Sequence, residues 1–74
     1  MIAKYGRVRL VTDRFSGEHA NAGMVGYVIE IYPDGNFEVE FSNADGTAVA
    51  QVVASERDLV RDPEAHGVTS KRSE

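Results

Sequence analysis

An all-β fold, a small barrel of five short strands, is what this sequence predicts, and three observations predict it. Residues 7–12 alternate with a period of two, Val8 and Leu10 on one face and Arg7 and Arg9 on the other. Two clusters of turn formers, Tyr32-Pro33-Asp34-Gly35 and Asn43-Ala44-Asp45-Gly46, separate three further apolar runs. No stretch shows a sustained helical period.

Residues 13–22, DRFSGEHANA, carry Gly, Ser and Asn without a usable period and read as a long loop. Strands two and three span 24–32 and 36–42. Pro33 presets φ for the first corner of a type I turn, and Gly35 takes the left-handed position of a three-residue hairpin loop. That turn sets a register in which Ile31 faces Phe37, Ile29 faces Val39 and Tyr27 faces Phe41, so that apolar meets apolar. The opposite face places Glu30 against Glu38 and Val28 against Glu40, and should be wet. Gly46 closes a second turn. Gly26, inside strand two, marks a bulge, a barrel corner or a close backbone approach.

Strand four, 47–53, is apolar on both faces. The alanine face (Ala48, Ala50, Val52) is expected inside, because Phe37 and Phe41 need small neighbours. Ser55 to Asp58 reads as one 3-10 turn with Ser55 as its cap. Leu59 and Val60 form a short fifth strand. From Asp62 hydrophobic residues thin out, so the expected organisation is a barrel over 1–61 and a flexible tail over 62–74. Strand, long loop, hairpin, fourth strand, 3-10 turn and short last strand is the order of an SH3-like barrel.

Seventy-four residues make one domain that buries only roughly 60% of its unfolded surface, with no room for an internal substrate cavity. The chain has no cysteine, which excludes disulfides and thiolate chemistry and fits a reducing, cytoplasmic setting. The N-terminal MIAKYGRVRL holds no apolar run suited to a signal peptide or a membrane span. A formal net charge of −4 with scattered cations disfavours nucleic acid and suits a basic protein partner.

Val8-Arg9-Leu10, the string from Gly23 to Glu30, Tyr32-Pro33-Asp34-Gly35, Phe37-Glu38-Val39-Glu40-Phe41, Asp45-Gly46 and Leu59 together resemble a family of small bacterial proteins, domain-of-unknown-function family 4926. The resemblance spans roughly residues 7 to 60 and implies an SH3-like fold and a bacterial source. It transfers no catalytic residues. A looser similarity to KOW-type ribosomal modules rests on Gly23 and Gly26 before a hairpin, but those modules' basic residues are replaced here by acids.

Glu30, Glu38 and Glu40 form an acidic stripe that either receives a basic partner or is a solvated face balanced by Arg7 and Arg9. Arg14 and Phe15 on the long loop suit an interface anchor, and Phe15 equally suits a plug for the barrel end. Tyr5, Tyr27 and Tyr32 could add an aromatic patch, with Tyr27 assigned to the core. His19 lies near Glu18 and Asp13, too few ligands on one loop for a metal site, and His66 falls in the tail. No nucleophile–base spacing, phosphate loop or cofactor motif is present, so an enzyme is the least favoured class. The leading expectation is a protein-binding module docking on a larger bacterial protein, of the immunity, antitoxin or accessory-subunit type. The alternative is a nucleic-acid or ribosome-associated module using Arg7, Arg9 and Arg14. A homodimer through Val49 and Val53 along an exposed edge is a third option.

Overall fold

The computed structural model describes residues 1–63. They form five antiparallel strands, β1 Arg7–Leu10, β2 Val25–Ile31, β3 Phe37–Ser42, β4 Ala48–Ala54 and β5 Leu59–Arg61, with 3-10 turns at Ser16–Glu18 and Glu56–Asp58. All five join one sheet in the order β4-β3-β2-β1-β5. Among the described residues no ladder joins β4 to β5, so the sheet stays open where a closed barrel was expected. The tail expected over 62–74 lies, from residue 64 and including His66, outside the described residues. Asp62, assigned to that tail, is instead buried, and its N–H donates to the Arg7 carbonyl at 3.0 Å.

Both hairpins use the same device. Tyr32 N–H donates to the Asn36 carbonyl at 2.8 Å and Gly35 N–H to the Tyr32 carbonyl at 2.9 Å, with Gly35 at φ 91°. Asn43, Gly46 and Thr47 repeat these bonds at 2.8 and 2.9 Å, with Gly46 at φ 88°. Asp34 and Asp45 each accept a backbone N–H two residues ahead, from Asn36 and Thr47. Asp-Gly in both loops therefore supplies a side-chain acceptor followed by a residue free to turn left-handed.

The expected register holds next to the Pro33 turn, where Ile31 pairs with Phe37 and Glu30 with Glu38. It then slips by one. A bulge between Val28 and Glu30 leaves Ile29 as the extra residue, so Val28 pairs with Val39, Tyr27 with Glu40 and Gly26 with Phe41. The cause is the Phe41 ring. A Cβ built on Gly26 would lie 2.7 Å from Phe41 Cδ1 and 2.6 Å from the Glu40 carbonyl oxygen. Only glycine lets the fully buried ring lie against β2, and the bulge brings glycine opposite it. Tyr27, expected in the core, is thereby turned outward and Val28 inward.

The core joins Val8 and Leu10 of β1, Val28, Phe37, Val39, Phe41, Val52, Ala54 and Leu59. On β4 the alanine face does point inward at Ala50, Val52 and Ala54. A second irregularity pairs Ser42 with Ala48 and Phe41 with Ala50, which leaves Ala48 exposed and Val49 packed against the core. The long loop is ordered by its own backbone bonds: Ser16 N–H to the Asp13 carbonyl, Glu18 N–H to that of Phe15, and Gly23 N–H to that of Leu10. Asp13 Oδ1 accepts from Ala22 N–H at 2.9 Å. Phe15 and Ala20 are buried in the core, so of its two proposed roles Phe15 takes that of the plug.

Gly26→Ala is expected to lower the unfolding free energy by about 1–3 kcal/mol through overpacking, read from urea midpoints. Gly17, whose added Cβ meets nothing within 4 Å, is the control. Gly17→Ala should be neutral or stabilising by up to about 1 kcal/mol.

Candidate functional site

The bulge at Ile29 builds the outer face of the sheet. One cross-strand row runs Gln51–Glu40–Tyr27–Arg7 and the next runs Val53–Glu38–Glu30. Tyr27 and Val53 are 48% and 47% exposed. Two adjacent rows thus carry all three glutamates of the expected stripe, with an outward tyrosine and valine among them.

The glutamates are held differently. Glu38 accepts from the Tyr32 hydroxyl and, at 2.7 Å, from Gln51 Nε2. These two bonds, that from Tyr32 first, hold its carboxyl below the ordinary range, and the same contact pushes the Tyr32 hydroxyl up. Glu30 is met by Lys4 Nζ at 3.4 Å, and that carboxylate raises the Lys4 ammonium. Lys4 is thus a cation on the stripe, with Arg7 at the end of the first row. Arg9, one of the two expected there, instead joins Asp62 at 2.5 Å and donates to the Gly23 carbonyl at 2.9 Å.

Tyr5 adds a backbone anomaly. It has φ 67°, in the left-handed region that a tyrosine enters at a cost of roughly 1–2 kcal/mol. Gly6 N–H donates to the Ala3 carbonyl at 2.9 Å and closes the turn, while Tyr5 N–H donates to the Val28 carbonyl at 2.6 Å and Val28 N–H donates to the Gly6 carbonyl at 3.0 Å, so the turn is pinned to β2 by two bonds. The ring is 71% exposed, with Lys4 Nζ 5.3 Å from its centroid. The core gains almost nothing from this side chain.

Arg14 serves the fold. Its Nε and guanidinium reach both oxygens of Asp58, at 3.1 and 2.7 Å, and it stacks 4.2 Å from the Phe15 ring centroid. Asp58 is buried and also accepts from Ser55 N–H and Oγ at 2.8 and 3.0 Å. Arg14 and these Ser55 donors bring the Asp58 carboxyl down to about 2. The sequence marks the Ser55–Asp58 half of this cluster through cap spacing. The Arg14 half joins residues 44 positions apart and leaves no local signal.

Gly26, Pro33, Gly35 and Gly46 stay with packing and turns. His19 is exposed at φ 68° beyond the first 3-10 turn, and Asp13 is occupied by the Ala22 amide. Among the described residues no group of three or more His, Cys, Asp or Glu is placed to hold a metal ion, and no helix is long and apolar enough to cross a membrane. Two shallow grooves of about 570 and 550 Å³ flank Ser55 and Arg57, and in the first the Ser55 hydroxyl donates to the Asp58 carboxylate that Arg14 also holds.

A family model described as Domain of unknown function (DUF4926) matches residues 5–61. The chain belongs to that family. The matched span runs from the strained Tyr5 to the end of β5, so the family covers the whole sheet and both Glu-bearing strands. No curated protein and no solved structure matches the chain.

The Asp58 carboxyl titrates lower in the fold than the ordinary value near 4, so its contribution is complete above about pH 4 and lost as pH falls towards 2. The shift corresponds to about 2 kcal/mol. Asp58→Asn should therefore lose stability of that order at pH 7 and show a shallower decline between pH 5 and 2, measured by urea unfolding across that range.

Proposed function

We propose that this chain is a non-catalytic protein-binding module that docks a basic surface of a larger protein through the outer face of its sheet. The observation that carries the reading is the outward Tyr27, set beside Glu40 and one row from Glu30 and Glu38. Tyrosine at the centre of an acidic face offers a cation both ring contact and ion pairing. Tyr5 and Tyr32 extend the aromatic surface, and the net charge of −4 steers basic partners toward it. Because Glu38 stays ionised below the usual carboxylate range, the face keeps charge in mild acid.

In concrete form this is a bacterial, cytoplasmic protein of the immunity, antitoxin or accessory-subunit kind. The strand order, the long loop after β1 and the 3-10 turn before β5 support an SH3-like barrel whose closing ladder is not formed here. The nucleic-acid reading is weakened by the engagement of Arg9 with Asp62 and of Arg14 with Asp58. Arg14 and Phe15, expected at the contact, act in this reading inside the fold, Arg14 on Asp58 and Phe15 in the core.

The test compares the wild type with a triple variant, Glu30→Gln, Glu38→Gln and Glu40→Gln, and with Tyr27→Ala, as immobilised baits in native extract. A basic protein retained by the wild type, released by salt and lost from the triple variant is the expected result; Tyr27→Ala should weaken it about tenfold or more. Equal retention by all three baits, or a salt-sensitive shift of labelled RNA or DNA in its place, overturns the reading.

A further inference from the structure

The two edges of the sheet are built differently. β5 is three residues long and carries Arg61, so shortness and charge both discourage pairing with another chain. β4 is seven residues long, Ala-Val-Ala-Gln-Val-Val-Ala, with neither a charge nor a proline. Every other strand carries at least one charged side chain, in a chain that is 27% charged. β3 covers one side of β4, and alternate backbone groups of an antiparallel strand point the other way. The first 3-10 turn approaches β4, where Val49 and Ala50 are half-buried, and Gln51 and Val53 stay exposed.

We propose that β4 pairs antiparallel with β4 of a second copy of this chain about a two-fold axis at Val52. The regular part of the strand beyond the Val49 irregularity is nearly self-complementary in that register. Ala50 meets Ala54, Val52 meets itself, and Gln51 meets Val53 twice. Small inward residues meet small ones, and no charge meets its like. A strongly charged foreign strand would find no complementary charge on β4, which is why the occupant is the chain itself.

The acidic character of the protein does not oppose this contact. Glu38 and Glu40 lie one strand behind the edge, so the strands that bear the like charges of the two copies stand three interstrand spacings apart, roughly 14 Å. That exceeds the screening length of about 8 Å at physiological salt. One pair of short strands buries less than a standard interface, so the dimer is weak and concentration-dependent. The contact uses the strand edge and does not rest on the partner proposed for the outer face, although Gln51 and Val53 stand at the ends of that face's rows.

Sedimentation velocity and light scattering over a dilution series test it, on the wild type, Val53→Lys and Gln51→Lys. Both substituted residues are exposed, and a lysine at 51 still faces Glu38, so the fold is retained in at least that variant. The expected result is a wild-type mass rising with concentration to two chains, while folded variants remain at one. A single-chain mass at every concentration overturns the proposal. So does a dimer that survives in either folded variant.

Discussion

A side chain missing at position 26 organises this molecule. Phe41 is the largest fully buried side chain among the described residues, and its ring lies where a Cβ at position 26 would stand. Regular pairing outward from the Pro33 turn would put Tyr27 against Phe41, two large rings competing for one thin core. Setting Ile29 aside as a bulge shifts the register so that Gly26 meets the ring. The core then closes over Val28 and Val39, and Tyr27 moves to the opposite face. Core packing and surface chemistry therefore share one cause: the step that seats Phe41 also places an aromatic beside the glutamates.

The ends of the sheet depend on two buried aspartates. Asp58 ties the turn before β5 to the long loop through Arg14, while Asp62 ties the end of β5 to β1 through Arg9 and the Arg7 carbonyl. In each pair the carboxylate is shielded and the guanidinium about half in water, so desolvation is moderate and the contact can favour the fold. Arg14 also covers the Phe15 ring, which joins the loop's polar anchor to its apolar plug. Two arginines that look unengaged along the chain are thus held by the fold's own carboxylates.

What the chain makes legible follows from the reach of each signal. Both Asp-Gly loops, the Ser55–Asp58 cap, the strand order and the pairing next to Pro33 are local or adjacent to a local constraint, and sequence reasoning finds them. The slip at Ile29 is not local. It is decided by the volume of Phe41 against the absence of volume at Gly26, fifteen positions away, and the alternation of Tyr27, Ile29 and Ile31 argues for the wrong face. Gly26 was the available clue, since a glycine inside a strand signals close approach. The Arg14–Asp58 and Arg9–Asp62 pairs, like the role of Lys4, join residues whose proximity only the sheet creates. Sheet closure was over-read because strand order is shared by an open and a closed sheet, and only the missing ladder between β4 and β5 distinguishes them.

The outer face shows why a cross-strand pair of like charges persists. Glu30 opposite Glu38 would cost the hairpin a few tenths of a kcal/mol, roughly, if both were simply solvated. Lys4 compensates one and the Tyr32 hydroxyl and Gln51 amide stabilise the other, and neither arrangement removes the charge of Glu38. A sheet selected only for stability would place threonine or a cross-strand ion pair there. This one recruits a neighbouring tyrosine and a glutamine from the edge strand to keep a carboxylate ionised beside an exposed ring. Lys4 is brought to Glu30 by a turn whose next residue, Tyr5, bears backbone strain that glycine would not. Supporting interactions and strain both converge on the acidic rows around Tyr27, and a surface maintained at such cost fits one that meets a partner.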